Sequence, residues 1–206
     1  VGSTDMAALS AFVRAQKADI GIAYDGDGDR VLMTDARGEI LDGDELVYII
    51  AMHRLATGHS DAGVVGTQMS NLGLEIALRE AGLQFARAKV GDRYVKALME
   101  TNGWHVGGES SGHIICSNVT TTGDGIIASL QVLMALQAAQ GNLDALRAGL
   151  TMYPQTMINV PVGGRVDLAN YPAPDKAVAS IEQRLGTQGR VLLRPSGTEP
   201  KVRVMV

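Results

Sequence analysis

"ADIGIAYDGDGDRVLMTD" (Ala18–Asp35) decides how the rest of the chain is read. "ADIGIAY" is a short apolar run and reads as a buried strand; "VLMTD" reads as another. Between them "YDGDGDR" (Tyr24–Arg30) sets Asp25, Asp27 and Asp29 at alternate positions, with glycine in the gaps and Arg30 directly after. So much like charge is costly unless a cation sits within it, and oxygen-only ligands suit Mg²⁺ or Ca²⁺. An EF-hand would need glycine at the sixth loop position and glutamate at the twelfth, where this chain has Arg30 and Ala36. Two readings remain: a Mg²⁺ site of three carboxylates with one position open to a phosphate oxygen, or an Asp/Gly-rich surface turn.

Outward from this loop, strand and helix alternate. "ARGEI" is a turn, and Asp44–Ala56 has helical spacing, with Asp44 as N-cap and Gly58 just past the end. "GVVGT" is a strand, followed by "SNLGLEIALREAG", a helix with Ser70 as cap and Gly82 as terminator. "QFARAKV" is a strand and "DRYVKALMETNG" a helix ending at Gly103. "WHVGGE" and "HIICS" are two strands joined by a tight turn, and "DGIIASLQVLMALQAAQG" is the strongest helix. This alternation argues for an α/β layer architecture. After Leu150 the pattern shifts to a small separate α+β unit. It comprises a strand in "YPQTMINVPV", a loop in "GGRVDLANYPAP", a helix in "DKAVASIEQRLG", and strands "RVLL" and "KVRVMV" around "RPSGTEP".

Composition excludes several classes. The 206 residues are 46% apolar and 19% charged, a globular balance, with only 4% aromatics, so the core is aliphatic. A net charge of −4 gives no support to nucleic-acid binding. The single cysteine, Cys116, allows no intramolecular disulfide and fits a reducing compartment. No apolar run is long enough to span a bilayer and no signal-peptide pattern is present, so a soluble cytoplasmic protein is expected. A start at Val1 and a finish on the strand-like "KVRVMV" suggest a piece of something longer.

Three further loops offer chemistry. "GGESSGH" (Gly107–His113) contains a literal G-x-S-x-G at Ser110, but a strand follows where a nucleophile elbow needs a helix. Its Glu109, Ser110, Ser111 and His113 suit hydrogen bonding to sugar hydroxyls, or an ordinary hairpin turn. "RPSGTEP" (Arg194–Pro200), with Arg203 on the next strand, supplies a guanidinium fork, hydroxyls and backbone N–H groups. These are the parts of a phosphate cradle, and equally of a proline-bounded turn. "KVGDRYV" (Lys89–Val95) is a strand-to-helix junction that can attract anions or simply start a helix. Neither a Walker A loop nor G-x-G-x-x-G occurs. His53, His59 and His105 read as ordinary structural residues.

In the order "YDGDGDR", "KVGDRYV", "GGESSGH" with "TTTGDG", then "RPSGTEP", the chain resembles the α-D-phosphohexomutase family over nearly its whole length. The resemblance implies mixed-sheet, three-layer α/β domains plus a small C-terminal α+β domain, from a four-domain protein built around a deep cleft. Residues 1–41 would be the C-terminal half of domain 2, 42–152 domain 3, and 153–206 a C-terminally truncated domain 4. By the same resemblance Asp25, Asp27 and Asp29 would bind one Mg²⁺, with Arg30 beside a phosphoserine. Glu109 and Ser111 would hold the sugar hydroxyls. Arg194, Ser196, Gly197, Thr198 and Arg203 would grip the phosphate not being transferred, and Arg93 and His113 would assist catalysis. The implied reaction interconverts glucosamine 6-phosphate and glucosamine 1-phosphate through glucosamine 1,6-bisphosphate or a similar bisphosphate, feeding UDP-N-acetylglucosamine and cell-wall precursors.

One departure is large. The family's donor serine lies in a T-A-S-H-N-P-like loop, and no such stretch occurs here, so these residues alone are expected to be inactive. Half a domain at the N-terminus is expected to leave a sheet edge and an apolar face that favour association, for example as a homodimer. "GESSGH" has serine at position 110 where asparagine is usual, and Pro195 stands at a usually basic position. The rival readings are a family member acting on glucose or mannose phosphates, a non-catalytic sugar-phosphate-binding protein, and a hydrolase using Ser110.

Overall fold

The acidic stretch forms the turn of an antiparallel hairpin. β1 (Ile20–Tyr24) pairs with β2 (Val31–Asp35), Tyr24 opposite Val31 and Ile20 opposite Asp35, and β3 (Ile40–Leu41) adds a third strand beside β2. The computed structural model describes residues 2–59, 61–164, 168, 172–196 and 200–206. They fall into two units, residues 1–152 and 153–206.

In the first unit a four-stranded sheet runs in the order β5-β4-β6-β7. β4 (Gly63–Thr67) is parallel to β5 (Gln84–Ala88) and to β6 (Val106–Gly108), and β7 (Ile114–Cys116) returns antiparallel. β4 is buried at every position, as a central parallel strand covered on both faces must be. On one face lie α2 (Gly43–Ala56), α3 (Leu72–Glu80) and α5 (Gly125–Ala138), sharing a core with Val64, Val106 and Ile114. On the other, α4 (Asp92–Asn102) packs Val95 and Met99 against Val65, Trp104 and Ile115. This is the three-layer α/β arrangement expected from the sequence. Leu46, Ile49, Leu74 and Leu78 are fully buried, each stabilising the fold by roughly 1.5–3 kcal/mol.

Two caps differ from expectation. Asp42, not Asp44, caps α2: its Oδ1 accepts from the N–H of Asp44 (2.9 Å) and of Glu45 (3.1 Å), while Glu45 Oε2 accepts from Asp42 N–H (3.1 Å). Asn71, not Ser70, caps α3, its Oδ1 accepting from Gly73 N–H at 2.9 Å; Ser70 Oγ instead accepts from Thr67 N–H at 3.0 Å and closes the loop before it. In both cases the true cap lies one or two residues from another cap-forming side chain, and local sequence does not separate them.

Two helices were not anticipated from sequence: α1 (Ala7–Gln16) and the short α6 (Leu143–Arg147). α6 matters for placing the hairpin. Arg37, in the β2–β3 turn, reaches Asp144 at 3.0 Å, and Arg147 reaches Glu45 on α2 at 3.2 Å.

In the second unit, β8 (Met157–Pro161), β9 (Leu192–Pro195) and β10 (Lys201–Met205) form an antiparallel sheet in the order β8-β10-β9. α7 (Pro172–Leu185) begins three residues earlier than its sequence reading, with proline in the first turn, where no N–H is needed. The loop expected at "GGRVDLANYPAP" lies partly outside the described residues, at 165–167 and 169–171.

Candidate active site

The acidic loop closes on itself. Arg30 N–H donates to Asp25 Oδ1 at 3.1 Å, Arg30 Nε lies 3.8 Å from Asp25 Oδ2, and Gly28 turns the chain at φ +76°. One carboxylate oxygen from each of Asp25, Asp27 and Asp29 lies within 4.8 Å of the others. Desolvation works to raise Asp25, but the Arg30 N–H, the Asp29 side chain and the Arg30 guanidinium together outweigh it and hold this carboxyl below its ordinary value.

Asp29 connects the loop to the rest of the site. Its Oδ2 accepts from His113 Nδ1 at 3.0 Å, while its buried Oδ1 takes no hydrogen bond. A buried carboxylate oxygen without a donor is costly. Beside two more carboxylates, in an all-oxygen set, it suits a hard divalent cation such as Mg²⁺. The residues therefore fit the metal that the sequence suggested.

The loop from Gly107 to His113 is held by backbone on three sides. Glu109 N–H donates to His113 O (3.0 Å) and Gly112 N–H to Glu109 O (2.9 Å), making a tight turn between β6 and β7. Gly43 N–H donates to Ser110 O at 2.9 Å and Val31 N–H to Gly112 O at 3.1 Å. A side chain at Gly43 would fall on the Glu109 carbonyl, and one at Gly112 (φ +93°) on the Val31 carbonyl. The turn runs from strand to strand, without the helix a nucleophile elbow needs, and the Ser110 carbonyl is engaged by α2.

Glu109 sits where two loops meet. Its Oε1 accepts from Gly91 N–H at 2.8 Å and its Oε2 from Ser111 Oγ at 3.3 Å. Each oxygen keeps a further lone pair, so the carboxylate can accept two more donors. Gly91 takes φ +126° at the start of α4. Arg93, two residues on, is exposed and lies over Tyr94, 4.6 Å from the ring centroid, with its Nη2 donating to the phenol oxygen at 2.7 Å. Asp25, Asp27, Asp29, Arg30 and His113 thus form one cluster, joined to Glu109 and Ser111 through a single loop. Arg93 pairs with Tyr94 on the α4 surface.

In the second unit Arg194 and Arg203 are directly opposite each other across β9 and β10, and Ser196 N–H donates to Lys201 O at 2.8 Å. This register sets two cationic residues side by side in the sheet. Gly197 and Thr198 lie outside the described residues.

Sequence reasoning took Asp44 for a helix cap and missed its burial. It is 1% exposed, and its Oδ2 accepts from Asn71 N–H at 2.7 Å, tying α2 to the loop before α3. Desolvation, reinforced by Asp42, pushes its pKa up to about 7. The only sequence signal was a second aspartate two positions after the capping one.

The fold and these loops have a known counterpart. The chain belongs to the phosphoglucomutase/phosphomannomutase family: residues 42–153 match its alpha/beta/alpha domain III and residues 157–206 its C-terminal domain. A phosphoglucosamine mutase of Cellvibrio japonicus is 56% identical over 205 residues, covering 100% of this chain and 46% of the relative. The chain therefore spans about half the length of the curated relatives it matches. Among solved structures, an N-acetylphosphoglucosamine mutase of Aspergillus fumigatus in complex with GlcNAc-6P and magnesium superimposes with a TM-score of 0.73. It is 22% identical, and the match covers 95% of this chain and 52% of that one. A variant of the Aspergillus fumigatus enzyme in complex with glucose 1,6-bisphosphate gives a TM-score of 0.68 at 22% identity, covering 91% of this chain and 44% of that one. No helix among the described residues is long and apolar enough to cross a membrane.

Proposed function

We propose that the protein carrying these residues is a hexosamine-phosphate mutase that interconverts glucosamine 6-phosphate and glucosamine 1-phosphate. One observation supports this reading above the rest. The loop that carries Glu109 also carries His113, whose Nδ1 fastens Asp29 of the acidic loop at 3.0 Å. A sugar-binding carboxylate and a cation-binding loop are thereby set at a fixed distance, as a phosphoryl transfer to or from a sugar hydroxyl requires.

The roles follow from the chemistry. Asp25, Asp27 and Asp29 hold one Mg²⁺, which when bound neutralises charge on the transferring phosphoryl group. Arg30 adds positive charge beside the same group. The free lone pairs of Glu109, with Ser111, accept from and donate to two sugar hydroxyls and so fix the ring's orientation. Arg194 and Arg203, with Ser196, Gly197 and Thr198, bind the phosphate that stays on the sugar. Turning a bisphosphorylated intermediate over between two such sites exchanges the position that reacts. In this reading residues 1–41 belong to a second domain, 42–152 to a third and 153–206 to a fourth. The phosphoserine donor comes from sequence outside these residues, because no T-A-S-H-N-P-like loop lies among them.

The test is turnover of glucosamine, glucose and mannose 6-phosphates by the full-length protein, with Mg²⁺ and with chelator. The expected result is Mg²⁺-dependent turnover that is fastest with the glucosamine compound. Preference for glucose or mannose phosphate would move the protein to another branch of the family. Absence of turnover with all three would leave a sugar-phosphate-binding protein.

A further inference from the structure

His113 is fastened on one side only by a hydrogen bond. Its Nδ1 meets Asp29, but its buried Nε2 has no hydrogen-bond partner and the residue is only 6% exposed. What bounds the ring on that side is Gly123. The three atoms nearest to a Cβ placed on Gly123 are Nε2, Cε1 and Cδ2 of His113, all inside van der Waals contact. Gly123 has no left-handed backbone that would itself require glycine. Its backbone bridges to Ile115, an interaction any residue type can make. The first thing an alanine there would meet is the His113 ring.

The ring has no easy way to yield. The His113 carbonyl accepts from Glu109 N–H at 3.0 Å, and β7 begins at the next residue, so the backbone cannot retreat. The ring would have to swing away from Asp29. Two residues on, Gly125 N–H donates to Gly28 O at 2.9 Å, and a Cβ there would come within 2.7 Å of Arg30 O. The turn from Gly123 to Gly125 at the head of α5 therefore abuts both the histidine and the acidic loop.

We propose that Gly123 is a positioning residue for the acidic loop. By leaving room for the His113 ring it fixes where Nδ1 meets Asp29 Oδ2, which leaves Asp29 Oδ1 available to a divalent cation. The inference rests on the cation-binding reading of the acidic loop. It extends that reading to a residue with no ligand contact of its own. Without the His113 bond, the Asp29 side chain, 34% exposed, is free to rotate toward solvent. Loss of such outer partners weakens metal sites by about 10–100-fold.

The experiment is calorimetric titration of Mg²⁺ into the full-length protein as wild type, Gly123→Ala, His113→Asn and the double variant, with melting temperatures measured in parallel. Asparagine places an amide N–H near the position of Nδ1 but has nothing where Nε2 stood. Gly123→Ala is expected to weaken Mg²⁺ binding by about 10-fold or more. The double variant is expected to match His113→Asn within about 2-fold, because the added methyl then occupies vacated space. Wild-type-like binding by Gly123→Ala, or a double variant whose loss is the product of the two singles, overturns the inference. If Gly123→Ala does not fold, a double variant that folds and binds like His113→Asn supports the inference, and one that also fails to fold overturns it. A wild type that takes up no Mg²⁺ overturns the cation reading itself, and the inference with it. Wild-type binding matched by Gly123→Ala overturns the inference alone.

Discussion

The acidic loop and the Arg194–Arg203 hairpin bring together opposite charges by opposite means. In the first unit, three carboxylates converge because backbone presses on backbone: Gly43 against Glu109, Gly112 against Val31, Gly125 against Arg30. In the second, Arg194 and Arg203 occupy directly opposed positions on two antiparallel strands. The first design leaves no room for a side chain at its contact points. The second sets its charges by strand pairing. The first should therefore fail through geometry and the second through charge.

The largest effect is expected at Gly112→Ala. Its Cβ would meet a β2 carbonyl from a left-handed backbone, which should cost about 3 kcal/mol or more of stability and about 10³-fold in turnover. Thermal melting and kinetics of the full-length protein check both, and a variant with wild-type melting would break the contrast. Next comes Asp27→Asn. Asp27 is the exposed member of the acidic triad, so stability should hold while turnover drops by about 10²-fold and Mg²⁺ binding weakens. A large fall in stability instead would mean that the aspartate holds the fold rather than a cation. Arg203→Gln should raise KM by about 10-fold, leave melting nearly unchanged and lessen the salt dependence of substrate binding. An unchanged KM would remove the phosphate role from β10.

The smallest expected effect touches stability alone. Asp44 carries a folded-state pKa raised from 3.8 to about 7, chiefly by desolvation. A carboxyl that binds its proton more tightly when folded contributes stability that is full below its unfolded pKa and is lost as pH rises through the folded one. Denaturant unfolding should therefore show stability falling as pH rises from 4 through about 7. Asp44→Asn should flatten that slope. A slope unchanged in the variant would assign it to other groups.

The sequence made the alternating strands and helices legible because period and punctuation agreed: apolar runs bounded by Gly58, Gly82, Gly103 and Gly141. The site loops were legible as compositions, an acid run and an Arg-Pro-Ser-Gly turn. What stayed hidden is what distance decides. Asp42 and Asp44 are both plausible caps, and only the fold shows one on the helix end and the other buried against Asn71. α6 spans only five residues, too few for a periodic signal. Gly91 offers its N–H to a carboxylate 18 residues away, and Gly123 abuts a histidine ten positions earlier in the chain. Neither fact has a local trace. A glycine kept for space rather than for backbone freedom looks in sequence like any loop glycine.

The most direct measurement is a crystal structure of the full-length protein grown with Mn²⁺ in place of Mg²⁺ and with glucosamine 6-phosphate. An anomalous peak about 2.1 Å from oxygens of Asp25, Asp27 and Asp29, with Glu109 accepting from two sugar hydroxyls, is the predicted result. A metal bound elsewhere, or a sugar that does not touch Glu109, would contradict it.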